Sequence, residues 1–379
     1  MRGHVQKRGG TWSYVLYLGR DPDGKKKYKW VGGHRTKREA EDALVSALER
    51  LRTGMWTDPG RTTVGEFLEQ WLAATETRVR PNTARSYRQM VRDWVVPRAG
   101  SVLLANLNAA HLRTVAGELL AEGRGDGKGG LAPSSVLKCH RMLKHAFKDA
   151  VRWGLLPRNP MDLVDPPRVA QSESTVWSAP EARRFLDGIA DDRLFAMWVL
   201  FLTTGMRRGE MAGLMWSDLD TERGVLVVQR AVVSAGRGTE VAEPKTRRSR
   251  RSLPLDEMTL AALKVHRRAQ LAERLRAGEA WCDSGRMFTG IDGAPLHPDT
   301  ISAAFAKIVR KADVPKIRLH DLRHTSATVA MEAGVHPKIV SERLGHSTIQ
   351  ITLDLYSHAT PTLQADAADR IGAAMFGGG

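Results

Sequence analysis

Four scarcities bound this 379-residue chain before any motif is considered. Cysteine is nearly absent: only Cys139 and Cys282 occur, too few and too far apart for a disulfide framework, which fits a reducing interior. Long apolar runs are missing. The longest, Leu194 to Leu202, falls far short of a membrane span. The basic N-terminus has no apolar segment of the signal-peptide kind, so we expect a soluble, cytoplasmic protein without membrane partners. Negative charge is in short supply: 42 Asp and Glu stand against 58 Lys and Arg, a formal net charge of +16. A surplus this large points to a polyanionic partner, most simply nucleic acid, although a solubilising surface is the plain alternative. Tyrosine is the fourth scarcity. Of five, four (Tyr14, Tyr17, Tyr28, Tyr87) lie in the first ninety residues, and beyond them the chain has Tyr356 alone. There is no glycine-rich nucleotide loop and no His/Cys/carboxylate spacing suited to a metal, so no cofactor and no metal are expected.

What is present divides into three stretches, and the fold expected is multidomain and mainly α. Residues 1–58 read as a small sheet-plus-helix DNA-binding domain. Thr11 to Leu18 alternates, with Trp12, Tyr14, Leu16 and Leu18 on one face. A turn at Asp21-Pro22-Asp23-Gly24 leads to a second strand, Lys26 to Val31. Thr36 and Glu39 form a capping box for a helix with Ala40, Ala43, Leu44, Ala47, Leu48 and Leu51 on one face, ending at Gly54. Thirteen Lys and Arg against seven Asp and Glu in the first sixty residues suit a sheet laid in a DNA groove.

Residues 62–165 read as a helical domain. A capping box at Thr63-Glu66, a helix after Pro81-Asn82, an Asn108 cap and a helix opened by Ser134 or Ser135 give four helices. The polar face of the fourth carries Lys138, His140, Arg141, Lys144, Lys148 and Arg152, which suits phosphate contact. A linker rich in proline and polar residues leads to residues 175–379, an α-rich domain with a small antiparallel sheet near its start. The pattern there predicts helices over 193–203, 207–216, 256–277, 298–311, 319–332 and 337–344, with a tail helix near Leu363 to Phe376. Strands are predicted over Gly224 to Val233 and Arg251 to Leu255.

Three short segments of this last domain carry chemistry. Thr204-Gly205-Met206-Arg207-Arg208-Gly209-Glu210 holds two arginines and a carboxylate. His320-Asp321-Leu322-Arg323-His324-Thr325 places His320 and Arg323 three apart on a helical face. Leu344-Gly345-His346 precedes Tyr356 by ten residues. Displacement at a phosphodiester needs fixed donors on the non-bridging oxygens, and arginine supplies a planar, always-charged fork. A lone tyrosine hydroxyl can serve as nucleophile.

Together these segments resemble the three signature boxes of the tyrosine recombinases, the phage integrase family, in order and at ordinary spacing. The helical second stretch is similar to that family's core-binding domain, and the basic N-terminal stretch resembles its arm-type DNA-binding domain. The resemblance implies that Tyr356 is the nucleophile that forms a 3′-phosphotyrosyl bond and frees a 5′-hydroxyl. It implies that Arg207 and Arg323 clamp the phosphate, that His320 is a phosphate ligand and proton-transfer candidate, and that His346 hydrogen-bonds the scissile phosphate. Glu210 then orients the clamp as a supporting residue. A general-acid lysine is expected on a hairpin between strands. Lys245 is the only lysine between Gly224 and Leu263, and its neighbours Arg247, Arg248, Arg250 and Arg251 are expected to grip backbone phosphates.

The function implied is site-specific DNA integration for a phage or integrative element, inside a bacterial cell and associated with the nucleoid. The implied partners are double-stranded DNA at core and arm attachment sites, a homotetramer on DNA, a directionality factor and a host DNA-bending protein. The alternatives are a chromosome or plasmid dimer resolvase of the same chemistry, or a non-catalytic DNA-binding regulator on this scaffold. A tail stripe of Leu363, Ala367, Ile371 and Ala374 fits docking either on a neighbour or on its own domain.

Overall fold

The computed structural model describes residues 3–20, 24–52, 61–170, 175–235, 238–242 and 250–346, with 348–350, 352–353, 372 and 375–376 near the C-terminus. It divides into two compact units, Met1–Gln171 and Ser172–Gly379.

The first unit contains two separate hydrophobic cores. The smaller belongs to an antiparallel sheet, β1 (Gly3–Arg8), β2 (Thr11–Arg20) and β3 (Lys26–His34), covered by helix α1 (Lys37–Arg52). β1 is an addition to the strands expected. Val5 is its only large apolar side chain, too little to show an alternation, and its existence depends on pairing with β2 from Gly3↔Leu16 to Arg8↔Thr11. Tyr14 and Leu16 pack on Leu44 and Ala47 of α1. Trp12, expected on the same face, stays outside that core because a register shift between Trp12 and Tyr14 interrupts the alternation. The Thr36–Glu39 capping box forms: the Glu39 N–H donates to Thr36 Oγ1 at 3.2 Å and the Thr36 N–H to Glu39 Oε2 at 3.4 Å. Tyr28 and Trp30 of β3 are half exposed, Tyr28 against Tyr17 and Trp30 beneath the Arg8 guanidinium.

The larger core gathers α2 (Val64–Glu76), α3 (Pro81–Gln89), α4 (Val96–Ala99), α5 (Ala109–Glu122) and α6 (Pro133–Arg152). A π-helical turn, Met90–Val95, joins α3 to α4 just ahead of Pro97, which has no N–H to give the ladder. Both expected caps form, Thr63 with Glu66 on α2 and Asn108 on α5. α6 differs: it starts at Pro133 with no side-chain cap, since proline's fixed φ suits the first helical position better than either serine that follows. Phe67, Leu68, Trp71 and Phe147 are fully buried, and the Trp71 indole N–H is satisfied by Asp149 Oδ2 at 3.0 Å.

The second unit comprises α7 (Ala179–Asp187), α8 (Phe195–Thr204), α9 (Arg208–Gly213), β4 (Leu219–Asp220), β5 (Val225–Val228), β6 (Ala231–Ala235), β7 (Gly238–Ala242), β8 (Arg251–Pro254), α10 (Glu257–Ala277), α11 (Pro298–Val309), α12 (Asp321–Glu332) and α13 (Pro337–Leu344). β4, β5 and β8 form one antiparallel sheet, and β6 pairs with β7 in a second. The single strand expected over Gly224 to Val233 is therefore two. The chain breaks at Gln229 and Arg230 because both side chains turn to the buried Asp218, Gln229 Nε2 at 2.6 Å and Arg230 through its guanidinium. The helix expected over 207–216 is also shorter, ending at Gly213. α8 is apolar all round and runs through the core, with Trp177, Phe185, Trp198 and Phe305 clustered about it. The expected tail helix lies almost wholly outside the described residues. No helix among the described residues is long and apolar enough to cross a membrane.

Candidate active site

Two helix ends make the frame of the site. α8 stops at Gly205 and α13 at Gly345, both with left-handed backbones (φ 60° and 66°). A left-handed residue closes a helix and is easy only for glycine. Each glycine carbonyl then accepts from an arginine of the other segment pair. Arg323 Nη1 donates to Gly205 O at 2.7 Å, and Arg207 Nη2 donates to Gly345 O at 3.0 Å. The first and second signature segments, and the first and third, are thereby joined at their functional arginines.

Arg207 is the N-cap of α9, and Glu210 turns back on it. The Arg207 backbone N–H meets Glu210 Oε2 at 3.0 Å and its Nη1 meets Oε1 at 2.9 Å. Glu210 is buried. Burial alone would raise its pKa, but the hydrogen bond and charge of Arg251, with those of Arg207, outweigh burial and hold the carboxyl below its ordinary range. It is ionised at neutral pH and fixes the fork of Arg207.

Arg323 is 3% exposed on α12. Burial, then repulsion from Arg207, pushes its guanidinium down to about 9, which leaves it cationic at neutral pH. Its Nη2 is buried without a hydrogen-bond partner among the described residues. An orphaned buried guanidinium donor is costly, and an anion is its natural complement. His320 sits at the N-cap of α12 and stacks edge-on with His324 at 5.0 Å. Burial lowers the pKa of both rings, with the neighbouring His324 and Arg323 adding to the effect at His320.

His346 follows Gly345 directly. Its Nδ1 is engaged with Thr352 Oγ1 at 2.8 Å, so Nε2 is the nitrogen left for a substrate oxygen. Burial, then the charges of Arg323 and Arg207, holds its pKa down to about 4. The ring is neutral near pH 7, and it offers an Nε2–H to a substrate oxygen in the tautomer in which Nδ1 accepts from the Thr352 hydroxyl.

The structure thus brings Arg207, Glu210, Arg323 and His346 together, with His320 beside His324 on the same helix as Arg323. Lys245 and Tyr356 lie outside the described residues. One expectation is overturned. Arg251 does not grip DNA backbone from the surface: its side chain is 7% exposed, pairs with Glu210 Oε2 at 2.8 Å and donates from Nε to Arg343 O at 2.6 Å. A signal for this existed, because Arg251 shares strand parity with the fully buried Leu253. Thr352 and the two glycine carbonyls had no comparable sequence signal. Among the described residues, no group of three or more His, Cys, Asp or Glu is placed to hold a metal. The arrangement is a cationic recess suited to one tetrahedral anion.

Comparison with known proteins gives this geometry its context. The phage integrase family model matches residues 180–362, an arm DNA-binding domain model matches 4–50, and a phage integrase N-terminal SAM-like domain model matches 63–120. The chain is 29% identical over 377 residues to a protein named tyrosine recombinase XerC-like from Caldanaerobacter subterraneus subsp. tengcongensis, covering 94% of each chain. It is 25% identical to an integrase of Saccharopolyspora erythraea, covering 97% of this chain and 95% of the relative. Among solved structures it is similar in fold to the Tn1549 transposon integrase in complex with a circular intermediate DNA (TM-score 0.68, 23% identity, 82% of this chain and 99% of the other). It is also similar in fold to a lambda integrase tetramer bound to a Holliday junction (TM-score 0.60, 18% identity, 93% and 94%). Three domain models in this order on one chain, with relatives that run nearly its full length, place the protein in the phage integrase family: it is a tyrosine site-specific recombinase.

Proposed function

We propose that this recombinase integrates a phage or other integrative element by joining an element attachment site to a chromosomal one. Tyr356 attacks the scissile phosphorus. The phenolic oxygen–phosphorus bond forms, the bond from phosphorus to the 5′-oxygen breaks, and the 3′-phosphotyrosyl link conserves the bond energy for rejoining to a new 5′-hydroxyl. Arg207 and Arg323 hold the non-bridging oxygens, His346 donates to one of them, and His320 ligates the phosphate or moves a proton. Lys245 protonates the departing 5′-oxygen. Glu210 keeps the Arg207 fork in place.

The observation that supports this reading best is the buried, unpartnered Nη2 of Arg323 beside a second fixed arginine and a neutral histidine. A regulator that only bound DNA would have no use for so closely held a recess. Residues 1–58, 62–165 and 175–379 are read as arm-binding, core-binding and catalytic domains. The open face of β1–β3, with Tyr28 and Trp30 exposed among lysines, is read as the arm-site surface, and the basic face of α6 as a core-site contact. The tetramer of lambda integrase on a Holliday junction supports the reading of four protomers on two duplexes here. The reading further includes a directionality factor, a host DNA-bending protein and a bacterial cytoplasm.

The test is a nicked suicide duplex carrying the core site found in the DNA that flanks the gene. Wild-type protein should form a covalent adduct. Tyr356→Phe, which removes one oxygen, should bind the duplex with near-normal affinity and form none. Adduct from Tyr356→Phe would end the assignment of the nucleophile.

A further inference from the structure

Arg251 begins β8, and its side chain is 7% exposed whereas the neighbouring Arg250 is exposed. A charged side chain at 7% exposure calls for a reason. Three of its five N–H donors are placed on two residues: Nη2 to Glu210 Oε2 at 2.8 Å, Nη1 to Glu210 Oε1 at 3.2 Å, and Nε to Arg343 O at 2.6 Å. Glu210 in turn holds Arg207 through Nη1 and the backbone N–H. One buried carboxylate therefore serves two arginines, Arg207 on the site side and Arg251 behind it.

The bond to Arg343 extends the arrangement. Arg343 is in the last turn of α13, two residues before Gly345, whose carbonyl holds Arg207 Nη2, and three before His346. Its own guanidinium donates back to Pro254 O at 3.4 Å, at the other end of β8. The last turn of α13 is thus tied to both ends of β8. Arg251 fixes from one position both supports of Arg207, Glu210 by a fork-to-carboxylate pair and Gly345 through the adjacent helix turn.

We propose that Arg251 is a positioning residue of the recombinase: from behind Glu210 and Arg343 it sets the orientation of Arg207 and the placement of His346 against the scissile phosphate. Without Arg251, Glu210 has Arg207 as its main cation and draws that fork toward itself, away from the substrate. A lysine cannot replace it, because one ammonium cannot span a carboxylate and a carbonyl in this geometry.

The inference rests on the reading of Arg207 as a phosphate clamp, and the experiment separates the two. Single-turnover cleavage at saturating protein is measured on two suicide duplexes, one with an ordinary scissile phosphodiester and one with a neutral methylphosphonate there. Removing the charge of a non-bridging oxygen removes most of the need for a cationic clamp. Arg207→Ala should therefore lose far more rate on the phosphodiester than on the methylphosphonate. Arg251→Met should show the same substrate dependence, with about a ten- to hundredfold loss on the phosphodiester and unchanged DNA affinity. An Arg251 that only supported the fold would slow both substrates equally, and that outcome, or a near wild-type rate, overturns the inference. If instead Arg207→Ala is equally slow on both, the clamp reading itself fails. Should Arg251→Met not fold, Arg251→Lys is put through the same pair of substrates and read the same way.

Discussion

At the scale of single residues the site depends on the shape of guanidinium as much as on its charge. Arg323 spends Nη1 on the Gly205 carbonyl, and Arg207 spends Nη2 on the Gly345 carbonyl and Nη1 on Glu210, which leaves each planar fork fixed with further N–H groups for the substrate. Lysine would retain the charge and lose that division of labour. Arg207→Lys and Arg323→Lys should each reduce single-turnover cleavage by about a hundredfold while binding core DNA normally. A rate within a few fold of wild type for either would remove that residue from the clamp. His346 offers a test by pH. Its pKa is about 4 in the folded protein against an ordinary 6.5, so the unfolded chain binds more protons between those values. The contribution of this ring to stability is present above pH 6.5 and is lost as pH falls through that window toward 4. His320 and His324, lowered by burial, act in the same direction. Imidazole NMR of the protein without DNA should find His346 neutral at pH 6. A midpoint at 6 or above would mean that the recess is neither as dry nor as cationic as described.

At the scale of elements, the helix ends matter more than the helix bodies. A Cβ on Gly205 would lie 2.3 Å from Leu344 Cδ2 and 3.2 Å from Ser326 Oγ, on a backbone at φ 60° that side chains adopt with strain. Gly205→Ala should cost about 1–3 kcal/mol of stability and also slow cleavage, because the strained carbonyl is the one that holds Arg323. Thermal denaturation and the suicide assay check the two effects separately; loss of stability with full activity would show that the carbonyl is dispensable. How much could be read from the chain follows the range of each interaction. The capping boxes at Thr36 and Thr63 are contacts over three residues and were fully legible. So were α13, bounded by Pro337 and Gly345, and the grouping of Arg207, Arg323 and His346, which family resemblance carried. β1 was not legible, since its pairing and not its composition makes it a strand. The break between β5 and β6 was hidden because it depends on Asp218, eleven and twelve residues before the side chains it holds. Arg251 was misread for the same reason: its partner Glu210 is 41 residues away, and in sequence it looks like one more arginine in a basic run.

At the scale of the whole molecule, charge and chemistry are separable. The formal charge of +16 should make DNA affinity fall steeply with salt, whereas cleavage at saturating protein should respond far less. A truncated protein beginning at Thr62 lacks the β1–β3 sheet and α1 but retains both larger cores. It should cleave a core-site suicide duplex at close to the full-length rate and fail to integrate a complete attachment site. Integration by this truncation would give residues 1–58 another task. The junction of Gly205, Gly345, Arg207, Arg251, Arg323 and Glu210 has one more consequence. Helix carboxyl ends carry partial negative charge and ordinarily repel anions. Here the ends of α8 and α13 are faced with guanidinium, so two termini of the wrong polarity become the walls of an anion site. Folding gathers three cations around a single carboxylate, and their mutual repulsion is carried by the native state until a phosphate relieves it. Occupancy of the site and resistance to heat are therefore one equilibrium seen from two sides. Sulfate or vanadate without DNA should raise the melting temperature of the wild type and leave that of an Arg323→Ala variant unmoved.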